Sequence, residues 1–171
     1  MALILAIETT TKNCSVALFK KGKLIALKEQ YSDNYSHAEQ LTLFITEIIE
    51  ETQYNLTNIN AVALSKGPGS YTGLRIGTSV AKGLCYSLGI PLISVSTLKA
   101  MANDMALMEN FELFCPMIDA RRMEVFSAVY DKDNKEIRVV QADIVDEQTY
   151  KNYLKREMLF FGDGALKCKE I

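Results

Sequence analysis

The chain has 171 residues, 49% hydrophobic and 23% charged, the balance of a globular protein and not of a fibrous or low-complexity one. A formal net charge of −2 and a pI near 5.5 exclude tight unaided binding to nucleic acid, so any RNA role has to be shared with a more basic partner. The apolar run over residues 1–7 stops at Glu8 after one strand's length, too short for a signal peptide or a membrane span.

Residues 3–7, 14–19 and 24–30 read as three strands, with a 20–23 turn around Gly22 between the second and third. Ser36 and Glu39 make a capping box, and Leu41, Phe44, Ile45, Ile48, Ile49 and Thr52 follow at helical spacing, which predicts a helix over 36–53. His37, the sole histidine, falls in its first turn. A strand over 59–64 then runs into Ser65-Lys66-Gly67-Pro68-Gly69-Ser70-Tyr71-Thr72-Gly73-Leu74-Arg75-Ile76-Gly77.

Strand, glycine loop and helix N-terminus in that order give the geometry that cradles anions, because free backbone N–H groups point out of such a loop. No Lys-Ser or Lys-Thr closes it, so it is not a Walker loop. Its G-x-G-x-x-x-G spacing is one residue too long for the dinucleotide fingerprint, and the next strand, 91–95, leads into Ser96 without an acidic ribose ligand. The helix over 72–88, stopped by Gly89, carries Gly73, Gly77, Ala81 and Cys85 at four-residue intervals. Interior glycines cost about 1 kcal/mol each against alanine, so the stripe needs a packing reason. Either the chain's own sheet or a partner can supply it. Leu43, beside Leu41, Phe44 and Ile45, gives the first helix more apolar positions than one buried face needs, which favours a partner. A helix over 96–107 follows, and the first half is then a mixed-sheet α/β layout.

The order begins again with strands over 113–119, 124–130 and 137–142, a helix over 146–155 and a strand over 158–161. The two leading hairpins align without a gap at an offset of 111 (119 − 8 and 128 − 17), and Gly162-Asp163-Gly164 stands where Gly67-Pro68-Gly69 stood. The expected domains are a first lobe over 1–107 and a duplicated second lobe over 108–171. By the template of the first, Ala165 opens a helix and a fifth strand should follow, so the second lobe is expected to be incomplete and the chain truncated. Cys14, Cys85, Cys115 and Cys168 form no CxxC pair and read as reduced core thiols of a cytoplasmic protein. With one histidine and scattered cysteines, no metal site, no catalytic triad and no cofactor is expected.

Two hairpin halves with an acid at each first-strand exit resemble the actin-like ATPase and sugar-kinase superfamily, the ribonuclease H-like fold. There both hairpins grip nucleotide phosphates and the two carboxylates hold hydrated Mg²⁺. Glu8 and Asp119 fill those places, and Glu8, Thr9, Gly67, Gly69, Ser70, Asp119 and Arg121 form the candidate, vestigial nucleotide cleft. The hairpin turns Glu8-Thr9-Thr10-Thr11-Lys12-Asn13 and Asp119-Ala120-Arg121-Arg122-Met123-Glu124 hold no glycine for close approach to a phosphate, which favours a worn-down site.

Ile4-Leu5-Ala6-Ile7-Glu8-Thr9-Thr10, the run Gly67 to Gly77, and Ile118-Asp119-Ala120-Arg121 with Glu124-Val125 together resemble the bacterial TsaB (YeaZ) family over essentially the whole chain. The glycine motif carries the likeness; Tyr71 replaces the commonest phenylalanine and Glu8 the commoner aspartate. The resemblance implies an actin-like fold without catalytic residues of its own, acting in the synthesis of threonylcarbamoyladenosine in tRNA. It implies pairing with the catalytic subunit TsaD, with the ATPase TsaE joining, and a homodimer when alone. The helices over 36–53 and 72–88 would form the interface, with Leu41, Phe44, Ile45, Ile48, Gly73, Arg75 and Gly77 as its expected residues and tRNA reached only through the complex. The alternative from another class is an active ATPase or phosphotransferase using Glu8 and Asp119. A metallopeptidase is opposed by the lone histidine.

Overall fold

Strict alternation in Leu3-Ile4-Leu5-Ala6-Ile7-Glu8 sends Leu3, Leu5 and Ile7 to one face, and in the computed structural model these three are buried while Ile4, Ala6 and Glu8 are half-buried. The structure describes residues 2–32 and 37–169 and divides into two units, Met1–Val95 and Ser96–Ile171. In the first, β1 (Leu3–Glu8) pairs antiparallel with β2 (Asn13–Lys20), which pairs antiparallel with β3 (Lys23–Tyr31). On its other side β1 runs parallel to β4 (Ala61–Ser65), and β4 parallel to β5 (Leu92–Val95), giving the order β3-β2-β1-β4-β5.

Two helices cover the face that carries Leu3, Leu5 and Ile7. Leu41, Phe44, Ile45 and Ile48 of α1 (His37–Glu51) and Ala81 and Cys85 of α2 (Tyr71–Leu88) close that core. Each large side chain buried there contributes about 1.5–3 kcal/mol. Gly89 ends α2 at φ +64°, its N–H bonded to the Cys85 carbonyl, a left-handed cap that glycine adopts without steric cost. The capping box expected at Ser36 lies outside the described residues.

The second unit repeats the pattern. β6 (Leu113–Asp119), β7 (Glu124–Asp131), β8 (Glu136–Ile144) and β9 (Met158–Phe161) stand in the order β8-β7-β6-β9 with the same pairing senses. α3 (Thr97–Met108) lays Leu98 and Ala102 on Phe114, Ile118, Ala128 and Tyr130. Because α3 gives its apolar side to this sheet, the division falls after Val95, earlier than the expected 107/108 boundary. On the opposite face Leu113, Cys115, Met117, Val125 and Val129 pack with Tyr150.

The sequence reading departs from the structure at two places in this unit. Residues 146–155 form consecutive turns, not a helix: Thr149 N–H bonds Asp146, Lys151 bonds Gln148 and Tyr153 bonds Tyr150, all three residues back, with one four-residue bond from Leu154 to Tyr150. A short segment with Thr149 and Asn152 in its middle has little intrinsic helicity, and although the Asp146 carboxylate caps the N–H groups of Gln148 and Thr149, the turns that follow do not lengthen into a helix. The hairpins, moreover, are not gapless copies. Glu8 pairs with Ser15, so an offset of 111 would set Asp119 opposite Phe126, yet Asp119 pairs with Val125 and Ile118 with Phe126. The second hairpin turn is one residue shorter. Past Ala165 the chain makes one 3₁₀ turn, Leu166–Cys168. Among the described residues no helix is long and apolar enough to cross a membrane.

Candidate functional site

At the exit of β1 the polar groups face inward and find each other. Thr9 and Thr10 are buried, and one Glu8 carboxylate oxygen accepts both the N–H and the Oγ–H of Thr10 at 2.5 Å. The Thr10 carbonyl accepts the Ser70 N–H at 2.6 Å, and Thr9 Oγ1 donates to the Gly73 carbonyl at 2.8 Å. Ser70 Oγ caps α2 by accepting the Gly73 N–H at 3.2 Å. His37, also buried, donates its Nε2–H to the Thr11 carbonyl at 2.8 Å.

The glycines make this contact possible. A methyl group on Gly69 would stand 2.6 Å from Thr10 Cβ and overlap the Thr10 carbonyl oxygen; on Gly73 it would overlap the Thr9 carbonyl oxygen, and on Gly77 the Thr9 hydroxyl. The small-residue stripe therefore has its packing reason inside the chain: it seats the first hairpin turn on α2. Gly67, at φ +99°, meets the Leu74 methyls and no open space. Glu8, Thr9, Gly69 and Ser70 thus stand around the first hairpin turn with their bonds made to Thr10 and Gly73, while Gly67 stands against Leu74.

Asp119 and Arg121 sit at the second hairpin tip. Asp119 accepts the Arg121 N–H at 2.9 Å, while Arg121 and Arg122 both take left-handed backbone, φ +72° and +48°. The Lys167 ammonium crosses this tip, bonding the Asp119 carboxylate and the carbonyls of Arg122 at 2.9 Å and Glu124 at 2.6 Å. That ammonium, with the Arg121 N–H, holds the Asp119 carboxyl below its ordinary pKa against a smaller opposing effect of burial. The Asp119 N–H in turn donates to Asp163 at 3.0 Å. Gly162 shares the φ of +99° seen at Gly67 and lies against the Met117 carbonyl, so the correspondence extends to backbone conformation at the first glycine of each GxG and not at the second. The sequence reading missed three of these residues: His37 as a strut, Lys167 as the partner of Asp119, and Asp163. The Gly-Asp-Gly after β9 pointed to Asp163, but nothing local pointed to Lys167.

A buried polar cluster lies deeper in the second unit. Arg138 donates to both Asp143 oxygens, at 2.8 and 2.6 Å, Ser127 donates to Asp143 at 2.5 Å, and the Tyr150 hydroxyl reaches Ser127 at 2.9 Å and Asp143 at 3.2 Å. Burial alone would raise the Asp143 carboxyl; the bonds from Arg138, Ser127 and Tyr150 outweigh it and hold it low. Burial pushes the adjacent Cys115 thiol up to about 12. Among the described residues no group of three or more His, Cys, Asp or Glu is placed to hold a metal ion.

Of the expected interface set, Leu41, Phe44, Ile45, Ile48, Gly73 and Gly77 are buried within the first unit, and Arg75 is exposed. The outward face of α2 instead presents Tyr71 and Tyr86, 74% and 92% exposed, with the Arg75 guanidinium 5.6 Å from the Tyr71 ring centre. On α1, Leu43 is 48% exposed.

A family model described as TsaD, tRNA N6-adenosine threonylcarbamoyltransferase, matches residues 32–159. The tRNA threonylcarbamoyladenosine biosynthesis protein TsaB of Escherichia coli K12 is 36% identical over 168 residues, covering 94% of this chain and 71% of that protein. The Haemophilus influenzae protein of the same name is 35% identical over 123 residues, 72% of this chain and 51% of that protein. Among solved structures, YeaZ from Pseudomonas aeruginosa aligns with a TM-score of 0.73 at 29% identity, over 84% of this chain and 66% of that one. The chain thus spans between about half and 71% of the length of these relatives.

Proposed function

The chain belongs to the TsaB (YeaZ) family, and from that premise we propose that it is a non-catalytic scaffold subunit in the biosynthesis of threonylcarbamoyladenosine beside the anticodon of tRNAs. Its fold is the actin-like, ribonuclease H-like α/β fold with two mixed sheets. In this reading it pairs with a TsaD subunit that performs the transfer, TsaE joins the pair, and tRNA is reached through the complex. Alone, the chain pairs with itself through the same helices.

The outer face of α1 and α2 carries this proposal. Tyr71, Tyr86 and Leu43 leave apolar surface in water on adjacent helices, and Tyr and Arg are the residue types that dominate interface energies. Gly83, whose position has open space around it, lets another helix come close there. The engagement of Glu8 by Thr10 and of Asp119 by Lys167 supports a scaffold over an ATPase, since each acid would have to leave its present bonds to hold hydrated Mg²⁺.

Leu43→Glu and Tyr86→Glu test it. Both positions are solvent-exposed, so the fold should persist, while burying an unpaired carboxylate in an interface should cost on the order of 2–4 kcal/mol of association. The readouts are sedimentation of the purified chain with TsaD and the threonylcarbamoyladenosine content of tRNA in cells carrying each variant. Unchanged pairing and modification would put the interface elsewhere. Micromolar binding of ATP with Mg²⁺ by the chain alone, measured by calorimetry, would favour the phosphotransferase reading instead.

A further inference from the structure

The actin-like fold implies a hydrated Mg²⁺ at the Asp119 carboxylate, and the atoms around that carboxylate do not fit such an ion. Mg²⁺ gives up its waters reluctantly and is held largely through them. Here the oxygens converge directly on a cationic centre. The Lys167 ammonium bonds the Asp119 carboxylate, the Arg122 carbonyl at 2.9 Å and the Glu124 carbonyl at 2.6 Å. An ammonium carries three donors and no acceptor, so this set of oxygens matches its capacity one for one.

The turn itself holds these oxygens in place. Arg121 and Arg122 take left-handed backbone, at a cost that glycine would avoid, in the turn that presents the Arg122 carbonyl. Glu124 closes the turn by donating its N–H to the Arg121 carbonyl at 3.1 Å, and its own carbonyl accepts the Ala120 N–H at 3.1 Å beside the ammonium. The Asp119 N–H donates to Asp163 at 3.0 Å, which brings a second carboxylate to the tip, while the Arg121 side chain is an opposing charge there. The Lys167 side chain is 22% exposed and that of Asp119 48%, so the cation is the more sheltered partner. Lys167 is also delivered by the chain's own Leu166–Cys168 turn. A tethered ammonium acts at high effective concentration and outcompetes a free ion of modest affinity.

We propose that Lys167 is a built-in cation, which occupies a three-oxygen cation site at the β6–β7 turn and thereby keeps a metal ion out of it. With the ammonium removed and the turn retained, the same oxygens should take a hard cation that accepts carboxylate and backbone carbonyl ligands directly. Ca²⁺ has that preference and is the probe. One bonded carboxylate makes a weak site, with a Kd on the order of 1 mM.

Lys167→Met keeps an unbranched side chain and removes its charge. In urea denaturation with Ca²⁺ at about ten times that Kd, the folding equilibrium of this variant is expected to shift about tenfold toward the folded state. The parent chain and Lys167→Arg keep a cation in the site and should not respond. Choline chloride at matched ionic strength separates binding from screening. Asp119→Asn, added to Lys167→Met, should remove the calcium response. A Lys167→Met chain indifferent to Ca²⁺ would overturn the proposal, as would a parent that responds equally or a response that choline reproduces or that survives Asp119→Asn. A Lys167→Met chain that stays unfolded in Ca²⁺ while Lys167→Arg folds would overturn it too, because a metal ion would then not replace the ammonium. The readout is stability alone, so its outcome is independent of pairing with TsaD.

Discussion

Gly73 and Gly83 lie in the same helix and should respond in opposite senses to the same methyl group. Alanine is worth about 1 kcal/mol over glycine in a helix interior. At Gly83 nothing stands within 4 Å of the new atom, so Gly83→Ala should stabilise the first unit by about 0.5–1 kcal/mol. At Gly73 the methyl would overlap the Thr9 carbonyl oxygen and stand 3.1 Å from its carbon and 3.2 Å from His37 Cδ2. Backbone cannot swing aside as a side-chain tip can. Relief requires α2 to retreat from the hairpin, which breaks the 2.8 Å bond from Thr9 Oγ1 to the Gly73 carbonyl. Overpacking costs about 1–3 kcal/mol and a buried bond left unmade about 1–3 more. Less the helix gain, the net loss is about 1–5 kcal/mol, centred near 3. Urea denaturation followed by far-UV circular dichroism gives both values from shifts in the midpoint. If Gly73→Ala were as stable as Gly83→Ala, the stripe would not be holding the hairpin, and a partner would again be its best explanation.

Ile45→Glu, a natural first choice for disrupting an interface, should instead unfold the first unit, because Ile45 is only 6% exposed and packs in its core, whereas Leu43→Glu should leave the circular dichroism spectrum and midpoint near those of the parent. Asp143→Asn should cost about 3 kcal/mol near neutral pH by stranding Arg138 in a largely buried site. Because the Asp143 carboxyl titrates below its ordinary value in the folded chain, its contribution is whole above the unfolded pKa of about 4 and is lost as pH falls through the folded value. The gap between parent and variant should therefore close below about pH 4, and a gap that widened there would contradict the assignment. At pH 8 Ellman's reagent should modify Cys168 first, with Cys115, pushed up to about 12, and Cys14, pushed up to about 11, reacting only after unfolding.

The two hairpin tips reach the same end by different chemistry. In the first unit a carboxylate folds back onto the next-but-one threonine and the turn is wedged against α2 by three glycines. In the second the turn is one residue shorter, two arginines take left-handed backbone, and an ammonium from the segment after β9 ties carboxylate and carbonyls together. Both devices satisfy the tip with atoms of its own unit. A tip of that kind is a structural corner, its polar groups already engaged.

What could be read from the sequence follows from the range over which each signal acts. Most strands and helices were legible because alternation and the i, i+4 pattern are local, and the repeated order of elements marked the second unit as a copy of the first, while the order of strands within each sheet came from the structure. The 146–155 segment was misread because its periodicity could not reveal that Tyr150 would be held by Ser127 and Asp143. The gapless offset failed for a related reason. Letters align through a turn regardless of how many residues the turn needs, and only the ladder shows Asp119 opposite Val125 and not Phe126. Glycines announced a close approach but not its object. Gly73 and Gly77 could serve a partner helix or a threonine sixty-odd positions upstream, and only tertiary contact with Thr9 decides between them. Lys167 lay beyond any pattern, since its place over Asp119 depends on β9 running parallel to β6, which delivers the segment after Phe161 to the β6–β7 turn.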